Sequence, residues 1–386
     1  MGYLGYKPAD KPLTAADITD SIITSAKIVD GTIVNADINA SAAIAGTKLS
    51  GITFPLAFKN GIINGDFSIA QRGTSFTSSA NNDDVYTLDR WYILSDGNDA
   101  IDVTQETTTV PTNQLTAIAL DVETANKKFG IAQIIEQKNC VGLIGNTVTL
   151  SFKAKVSATT KLDNVKCAIV AWSGTADTVT SDIISAWGVE GTNPTLIANA
   201  TYENTPANLN VTTSYATYSV SAAVDTSSTK NIIVFIWSDV TDTTAGDFLY
   251  ITDVQLEKGS AASDFEFLPI DVSLGRCERY FQTTGFGNIA IAESGTVYVM
   301  NLVHRQTMRT VPSKGLMVTS NIVVTQFGVA DRTSASPSVF SSTGSKNGSH
   351  LKIDGFGAIG SASTPAGIAY TSTLTDGDLF KLDAEL

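Results

Sequence analysis

Short runs in which apolar and polar residues alternate predict β-strands along most of the chain. The clearest run, 148–156 (VTLSFKAKV), directs Val148 and Phe152 to one face and Lys153 to the other. Similar runs lie at 166–172, 215–224 and 231–237. The last contains the unbroken apolar stretch IIVFIW, which suits a strand covered on both faces. Because turn-forming Gly, Asn, Asp and Thr separate the runs, the pattern predicts an antiparallel β-sandwich over 51–270.

Few segments show the spacing of a helix. The sequence SLGRCERYFQT at 273–283 is the one that predicts a helix, within a short helical linker at 271–285. Residues 125–140 have room for one short helical turn. The fold class predicted from these patterns is therefore all-β.

The segment 286–386 predicts a small C-terminal β domain with variable surface loops. Its strand-like runs lie at 297–303, 321–325 and 379–386. Two stretches rich in Ser, Thr and Gly, 331–349 and 355–367, are predicted to be surface loops. Loops on a rigid β scaffold can change without unfolding it, so contacts with a partner are expected there.

A repeat of about ten residues occupies 16–50, as ADITDSIITS, AKIVDGTIVN, ADINASAAIAG and TKLSG. Its apolar positions form one narrow stripe, which comprises Ile18, Ile23, Ile28, Ile33, Ile38, Ile44 and Leu49. One stripe cannot enclose a core, so it is predicted to be buried against the same stripe of other copies, in a homotrimeric stalk. The spacing is not that of a coiled coil. The alternative is a disordered linker whose internal similarity is accidental.

Composition and charge narrow the class of partner. The 386 residues are 43% hydrophobic and only 16% charged, as in all-β surface proteins. Lys and Arg number 25 against 38 Asp and Glu, a net charge of −13 that lies almost wholly in 51–285. A basic face that could neutralise phosphates is missing, so nucleic acid is not an expected partner.

The cysteines and the N-terminal sequence indicate the compartment in which the protein is synthesised. Cys140, Cys167 and Cys277 are too few and too scattered for a disulfide framework and are predicted to be free, buried thiols. Residues 1–12 show no leader pattern, and no run approaches the roughly 18 apolar residues of a membrane span. We therefore expect synthesis in a reducing cytoplasm, with no membrane insertion.

Several short motifs follow one another in a fixed order. They are NGDF at 64–67, QRG at 71–73, DRW at 89–91, QIIEQ at 133–137, DVQLEKGS at 253–260 and CERYF at 277–281. In this order they resemble the jelly-roll module of phage tail-fibre and tail proteins, and the repeat at 16–50 resembles the stalk that precedes that module. The resemblance covers most of 1–285. It is specific for the architecture and says little about the ligand.

The resemblance implies a protein of the phage virion. The implied role is a homotrimeric tail fibre, made in the host cytoplasm, that docks to the tail or other virion proteins through residues 1–15. Its β domains would bind host cell-surface polysaccharide. A purely structural capsid decoration or tail spike component without a receptor role is the rival interpretation, and a glycan depolymerase is a third.

The opening and closing motifs are also similar to those of jelly-roll carbohydrate-binding modules, which often hold a structural calcium ion. By that resemblance Asp66 and Asp253, at predicted strand ends, would help to bind Ca²⁺. The alternative is that Asp66 caps a turn through nearby backbone amides. Many tail modules of this type need no metal.

No pattern in the sequence indicates catalysis. His304 and His350 are the two histidines, and neither has a nucleophile motif or metal-ligand spacing near it. The acidic residues offer many pairs that could flank a sugar, but no motif selects one of them. We therefore expect a protein that is not an enzyme.

Sugar binding needs flat aromatic faces beside amide and carboxylate groups. Trp187 and Tyr202 lie in a Gly-, Asn- and Thr-rich segment, 186–206, that a sandwich would display, and Trp172 is a third candidate. Trp91 begins an apolar run and is expected in the core. The alternative for each candidate ring is that it folds back and plugs the end of the sandwich.

Overall fold

The computed structural model describes residues 58–226, 228–284, 289–294, 296–317, 322–326, 332–356, 365–371 and 379–386, with a few positions between 23 and 38. The chain divides into two units, Met1–Leu56 and Ala57–Leu386. In the first unit, the stripe residues that the structure describes expose about half of their surface, namely Ile23, Ile28, Ile33 and Ile38 at 53, 40, 58 and 41%. The predicted docking segment 1–15 and the stripe residues Ile18, Ile44 and Leu49 lie outside the described residues, and the trimer stays a prediction.

Two antiparallel sheets form a β-sandwich in the second unit. The six-stranded sheet has the spatial order Ser75–Phe76, Ile101–Glu106, Ala117–Val122, Phe248–Lys258, Thr147–Val156 and Ala216–Ala223. The five-stranded sheet has the order Ala200–Tyr202, Val165–Trp172, Asn231–Ser238, Phe129–Ile135 and Tyr92–Ser95. The runs predicted at 148–156, 166–172, 215–224 and 231–237 are all strands of these two sheets.

The main core lies between the two sheets. The apolar side chains of the strand Thr147–Val156 point into this core, where Val148, Leu150 and Phe152 are fully buried. Thr149 and Ser151 on its other face are buried as well, so this strand is less exposed than its alternation predicts. Each buried apolar side chain in this core contributes roughly 1.5–3 kcal/mol by leaving water. Trp91 also lies here, fully buried, with its indole nitrogen donating to the Asn64 carbonyl oxygen at 2.9 Å.

A second apolar cluster covers the outer face of the five-stranded sheet. In the strand Asn231–Ser238, Ile232, Val234 and Ile236 point into the main core. Phe235 and Trp237 point the other way, where the segment 173–206 packs over them. Both faces of this strand are therefore covered, as its unbroken apolar sequence predicts.

Helices are few and short. A helix spans Ile270–Glu278, shorter than the one predicted at 273–283, because Phe281–Thr284 is a strand that pairs with Phe380–Asp383. One turn of helix, Gln137–Cys140, lies within 125–140, and a 3-10 helix spans Ser78–Asn81. In the described part of the chain, no helix has the length and apolarity of a membrane span.

The C-terminal part consists of a closed barrel and a small sheet. The barrel comprises Ile289–Ser294, Val297–Val303, Gly348–Phe356, Arg332–Gly344, Ile322–Gln326 and Pro365–Thr371. The sheet comprises Phe281–Thr284, Phe380–Asp383 and Ser313–Leu316. Outside the C-terminal part, the short strands Ile184–Ala186 and Thr195–Leu196 pair with each other in the segment that covers the five-stranded sheet.

The prediction of a long loop at 331–349 is wrong. Arg332–Gly344 is a strand, and it pairs with Gly348–Phe356, which also contains His350. Ser and Thr occupy strands readily when the partner strand supplies the apolar side chains, here Leu351 and Ile353. The second predicted loop, 355–367, begins and ends in strands, and 357–364 lie outside the described residues.

Candidate functional site

The outer face of the six-stranded sheet is the candidate functional site. Alternation along Thr147–Val156 sends Lys153 and Lys155 to this face, opposite the core residues Phe152 and Ala154. A groove of about 390 Å³ crosses the face. It is lined by Thr112, Asn113, Gln114, Ser151, Phe152, Lys153, Thr217, Asp253, Ala262, Ser263, Asp264, Phe265 and Phe267. Most of these lining side chains are polar, while Phe267 is 59% exposed, so the groove offers both hydrogen-bonding groups and a ring.

Asp253 is the polar centre of the groove. One carboxylate oxygen, Oδ2, accepts from Lys153 Nζ at 2.9 Å and from Gln114 Nε2 at 2.7 Å. The other oxygen, Oδ1, is buried and has no hydrogen-bond partner. Burial raises the pKa of Asp253, which the bond to Lys153 opposes, and the nearby Asp66 raises it further. An unpaired buried acceptor is costly, and because Asp253 is only 4% exposed, this carboxylate orders the floor of the groove instead of contacting a ligand.

A β-bulge sets the position of Asp253. The register of the strand Phe248–Lys258 shifts between Thr252 and Gln255, and Asp253 has a φ of 55°. Left-handed backbone is tolerated better by Asp than by most residues. Gly65 lies against the bulge, where an added Cβ would come within 2.1 Å of the Val254 carbonyl oxygen. The glycine of the NGDF motif is therefore needed for the close approach of these two segments.

Aromatic rings lie farther along the same face. Leu249 and Ile251 point into the core, which places Phe248 and Tyr250 on the outside, stacked with centroids 5.4 Å apart. Lys155 Nζ lies 5.4 Å from the Tyr250 ring and 5.8 Å from the ring of Tyr215. The Tyr215 hydroxyl donates to the Thr109 carbonyl oxygen at 2.8 Å. All three rings are half-buried, so each keeps part of its surface free for contact.

Carboxylates flank the rings on the other side. Asp121 is the ladder partner of Phe248, and Asp102 is the ladder partner of Asp121. Partial burial raises the pKa of Asp121, and repulsion by Asp102 raises it further. Rings, carboxylates, amides and two lysines are thus arranged along a single sheet face. Such a face can stack a flat apolar surface and exchange hydrogen bonds with hydroxyl groups.

The aromatic residues predicted from sequence lie elsewhere. Trp172, Trp187 and Tyr202 pack in the cluster on the outer face of the five-stranded sheet. Trp172 is only 8% exposed, and the Trp187 ring meets the Phe235 ring edge-on at 6.0 Å. The predicted displayed loop at 186–206 instead folds over this sheet and includes the short strands Thr195–Leu196 and Ala200–Tyr202. These three rings cover the outer face of a sheet, whereas the alternative stated for them was that they plug the end of the sandwich.

The donors predicted for calcium do not fit that ion. Asp66 Oδ1 accepts from the backbone amide of Ser68 at 3.4 Å and from its hydroxyl at 3.0 Å, as a turn cap does. Asp253 is not at a strand end, and Lys153 already neutralises it. Across the described residues, no group of three or more His, Cys, Asp or Glu side chains could hold a metal.

The motif residues that carry the family resemblance make internal contacts. Asn64 Nδ2 donates to the carbonyl oxygens of Ile69 and Asp89, at 2.9 and 3.0 Å. Asp89 accepts two bonds of 2.6 Å from Gln71. Arg279 forms a two-pronged bond with Glu136 at 2.8 and 2.7 Å. These side chains hold the fold together, which explains why the motifs point to architecture rather than to a ligand.

His304 forms a buried hydrogen-bonded pair with Ser349. His304 Nε2 lies 2.8 Å from Ser349 Oγ, and its Nδ1 lies 2.8 Å from the Lys346 carbonyl oxygen. His304 and Ser349 are 7% and 4% exposed, so a substrate cannot reach this pair without opening the barrel. The pair joins the end of one barrel strand to the start of another.

Sequence reasoning missed the rings and groove residues of the outer face. The signal was present in FLYIT at 248–252, where aromatic residues alternate with core aliphatic ones. The sequence around Gln114 does not indicate a site, because Gln114 meets the distant residue Asp253 only in the folded chain.

No protein-family model matches this sequence, and no curated protein matches it. Solved structures that overlap with the chain include a tailspike protein of bacteriophage CBA120, at 14% identity and a TM-score of 0.31. That overlap covers 52% of this chain and 22% of the tailspike chain. A CBM4 structure overlaps at 13% identity and a TM-score of 0.28, covering 51% and 98% of the two chains. A CBM22 xylan-binding domain of Paenibacillus barcinonensis overlaps at 11% identity and 0.28, covering 49% and 94%.

Proposed function

We propose that this chain is a phage virion protein, a trimeric tail fibre, whose sandwich binds host-surface glycan on the outer face of the six-stranded sheet. One observation carries the binding proposal. The half-buried rings of Phe248, Tyr250 and Tyr215 lie on the outer sheet face together with the ammonium group of Lys155.

The chemistry of this face matches that of a sugar. A pyranose ring presents a flat patch of C–H groups that packs on an aromatic ring, and its hydroxyls donate and accept hydrogen bonds. Tyr250 and Phe248 offer the stacking surface. The half-buried carboxylates of Asp102 and Asp121 offer acceptors, and Lys155 beside the rings offers a donor. A sugar stacked on the rings would therefore exchange hydrogen bonds with these groups.

The virion part of the proposal rests on the order of the motifs and on the repeat at 16–50. The rival interpretation, a structural capsid or tail component without a receptor, is favoured by one observation. The motif residues Asn64, Gln71 and Arg279 are all used in internal contacts, so the resemblance alone supports an architecture. Binding to cells separates the two interpretations.

We expect binding without cleavage. Asp102 and Asp121 are neighbours on the face, but a depolymerase needs two carboxylates placed on opposite sides of one glycosidic bond. Adjacent ladder positions place both groups on the same side of a sugar that lies on the sheet.

The test is binding of the fluorescently labelled full-length chain to intact bacterial host cells, with stripped surface polysaccharide as competitor. Saturable binding that the polysaccharide abolishes supports the receptor role. A folded protein that binds no cells overturns it and leaves the structural role on the particle. Release of reducing sugar ends from the polysaccharide would instead support the depolymerase.

A further inference from the structure

A buried cluster of charged groups lies on the outer face of the five-stranded sheet, away from the proposed glycan site. Asp239 is completely buried and accepts from Lys128 Nζ at 2.5 Å and from Lys166 Nζ at 2.6 Å. The side chains of Lys128 and Lys166 are 0% and 6% exposed. Two ammonium groups thus face one carboxylate, which leaves a positive charge without a counter-ion in this cluster.

The segment that covers this sheet supplies an amide to the cluster. Asn193 Oδ1 lies 3.1 Å from Lys166 Nζ, and the backbone amide of Gly191 donates to Asp239 Oδ2 at 3.1 Å. Lys166 Nζ therefore contacts both the side-chain amide of Asn193 and the carboxylate of Asp239. An amine, a side-chain amide and a carboxylate, the three groups that acyl transfer to nitrogen needs, thus meet at one place.

Aromatic rings cover one side of Lys166. Its ladder partner is Trp237, whose ring is fully buried and stacks on Phe235 with centroids 4.4 Å apart. The side chain of Lys166 is only 6% exposed, so water is kept from its contact with Asn193. Where water is excluded, hydrolysis does not compete with attack by the amine.

We propose that Lys166 and Asn193 become joined by an intramolecular amide bond, with Asp239 as the proton carrier. Lys166 Nζ passes a proton to Asp239 and attacks Asn193 Cγ, forming a C–N bond. The tetrahedral intermediate collapses as the bond from Cγ to Nδ2 breaks. Asp239 and the attacking nitrogen return protons, so that one ammonium ion leaves and Asp239 is again a carboxylate. No oxidant or cofactor is required.

The bond would remove the positive charge of Lys166 and link the covering segment 173–206 covalently to the five-stranded sheet. Lys166 lies in the strand Val165–Trp172, whereas Asn193 lies in the segment that shields Phe235 and Trp237. A covalent link between them would prevent that segment from lifting off the apolar surface. Such protection against proteases suits an extracellular particle.

The test is the intact mass of the full-length protein. The bond lowers the mass by about 17 Da, the mass of one ammonia. Digestion is expected to yield a branched peptide that joins the sequences around Lys166 and Asn193. The variant Lys166→Arg keeps a cation beside Asp239 but has no amine for this reaction, and its mass is expected to equal the value calculated from its sequence.

Asn-Gly sequences such as Asn60-Gly61 and Asn347-Gly348 can also lose ammonia, by closing to a succinimide. Asn193 cannot close in this way on its own backbone, because Pro194 has no N–H. A loss of mass that is equal in the wild type and in Lys166→Arg would therefore overturn the proposal, as would an unchanged mass in the wild-type protein. The branched peptide of the wild type decides the question even if the variant does not fold.

Discussion

Arg90 and Glu385 form an ion pair in which the two side chains are only 1% and 5% exposed. Arg90 belongs to the DRW motif, and its guanidinium also donates to the Ile134 carbonyl oxygen at 2.5 Å and lies 3.6 Å from the centre of the Tyr280 ring. The Arg309 guanidinium also binds these last residues of the chain, since it donates to the carbonyl oxygens of Ala384 and Glu385 at 2.8 and 2.7 Å. The motif therefore ties the sandwich to the last residues of the C-terminal part.

The first prediction concerns this pair. Glu385→Ala is expected to destabilise the protein by about 3 kcal/mol, because it leaves the buried Arg90 guanidinium without its counter-charge. Chemical denaturation of the full-length chain measures the effect. The matched control is Glu293→Ala, whose partner Lys352 is partly exposed, with an expected loss of about 0.5 kcal/mol. An equal loss of stability in Glu385→Ala and Glu293→Ala would contradict the importance of the buried Arg90–Glu385 pair.

The second prediction concerns the glycine of the NGDF motif. Gly65→Ala is expected to destabilise the fold by roughly 2 kcal/mol or more, because its Cβ would lie 2.1 Å from the Val254 carbonyl oxygen. Gly142→Ala is the control, since a Cβ there meets nothing within 4 Å. Melting curves of the two variants provide the comparison. A Gly65→Ala variant as stable as the control would show that the bulge at Asp253 does not need this close approach.

The third prediction concerns pH. Burial, together with repulsion by the neighbours Asp83 and Asp182, raises the pKa of Asp84 from 3.8 to about 7. The folded state thus keeps a proton that the unfolded state has lost, so stability falls as pH rises from about 4 to about 7 and stays lower above that range. Because Asp84 is partly exposed, the expected loss is about 1–2 kcal/mol.

The variant Asp84→Asn tests the pH prediction. It is expected to match the wild type near pH 4 and to be more stable at pH 8. Asp242→Asn, at an exposed pair with Lys161, serves as the control and is not expected to show this gain. If the wild type and Asp84→Asn lose stability in parallel between the two pH values, the buried position of Asp84 is not the cause.

The fourth prediction concerns the stalk. Light scattering of the full-length protein is expected to give the mass of a trimer, because the stripe residues Ile28 and Ile33 are exposed in the single chain. Replacing both by Asn is expected to yield monomers. Val29, 73% exposed and outside the stripe, provides the control Val29→Asn, which is expected to remain trimeric. A monomeric wild type would remove the basis for a fibre.

Sequence patterns predicted the strands whose faces differ in polarity. The run 148–156 alternates because one face packs in the apolar core and the other carries polar side chains, and this contrast can be seen in the local sequence. The strand Arg332–Gly344 has no such contrast, since its Ser and Thr residues depend on the apolar residues of Gly348–Phe356. The helix predicted at 273–283 ended early for a similar reason. Phe281–Thr284 pairs with a strand near the chain terminus, which local sequence does not reveal.

The candidate site was harder to predict than the fold. Trp187 and Tyr202 lie in a sequence typical of a surface loop. The segment nevertheless packs on the outer sheet face, because this buries the apolar rings of Phe235 and Trp237. Tyr250 sits in a strand whose neighbours Leu249 and Ile251 mark it as part of a core element. Whether its ring faces a ligand depends on which sheet face stays open, and that is decided by chain segments far away in sequence.

The most direct test of the glycan-binding face is an affinity titration with purified host-surface polysaccharide. Full-length wild type is compared with Tyr250→Ala, Tyr215→Ala and the control Thr201→Ala, whose side chain is exposed in the strand Ala200–Tyr202 of the other sheet. We expect Tyr250→Ala and Tyr215→Ala to weaken binding by about tenfold each, or roughly 1.4 kcal/mol, with Thr201→Ala unchanged. Equal affinity of all four folded proteins, or no binding by the wild type, would contradict the assignment of this face.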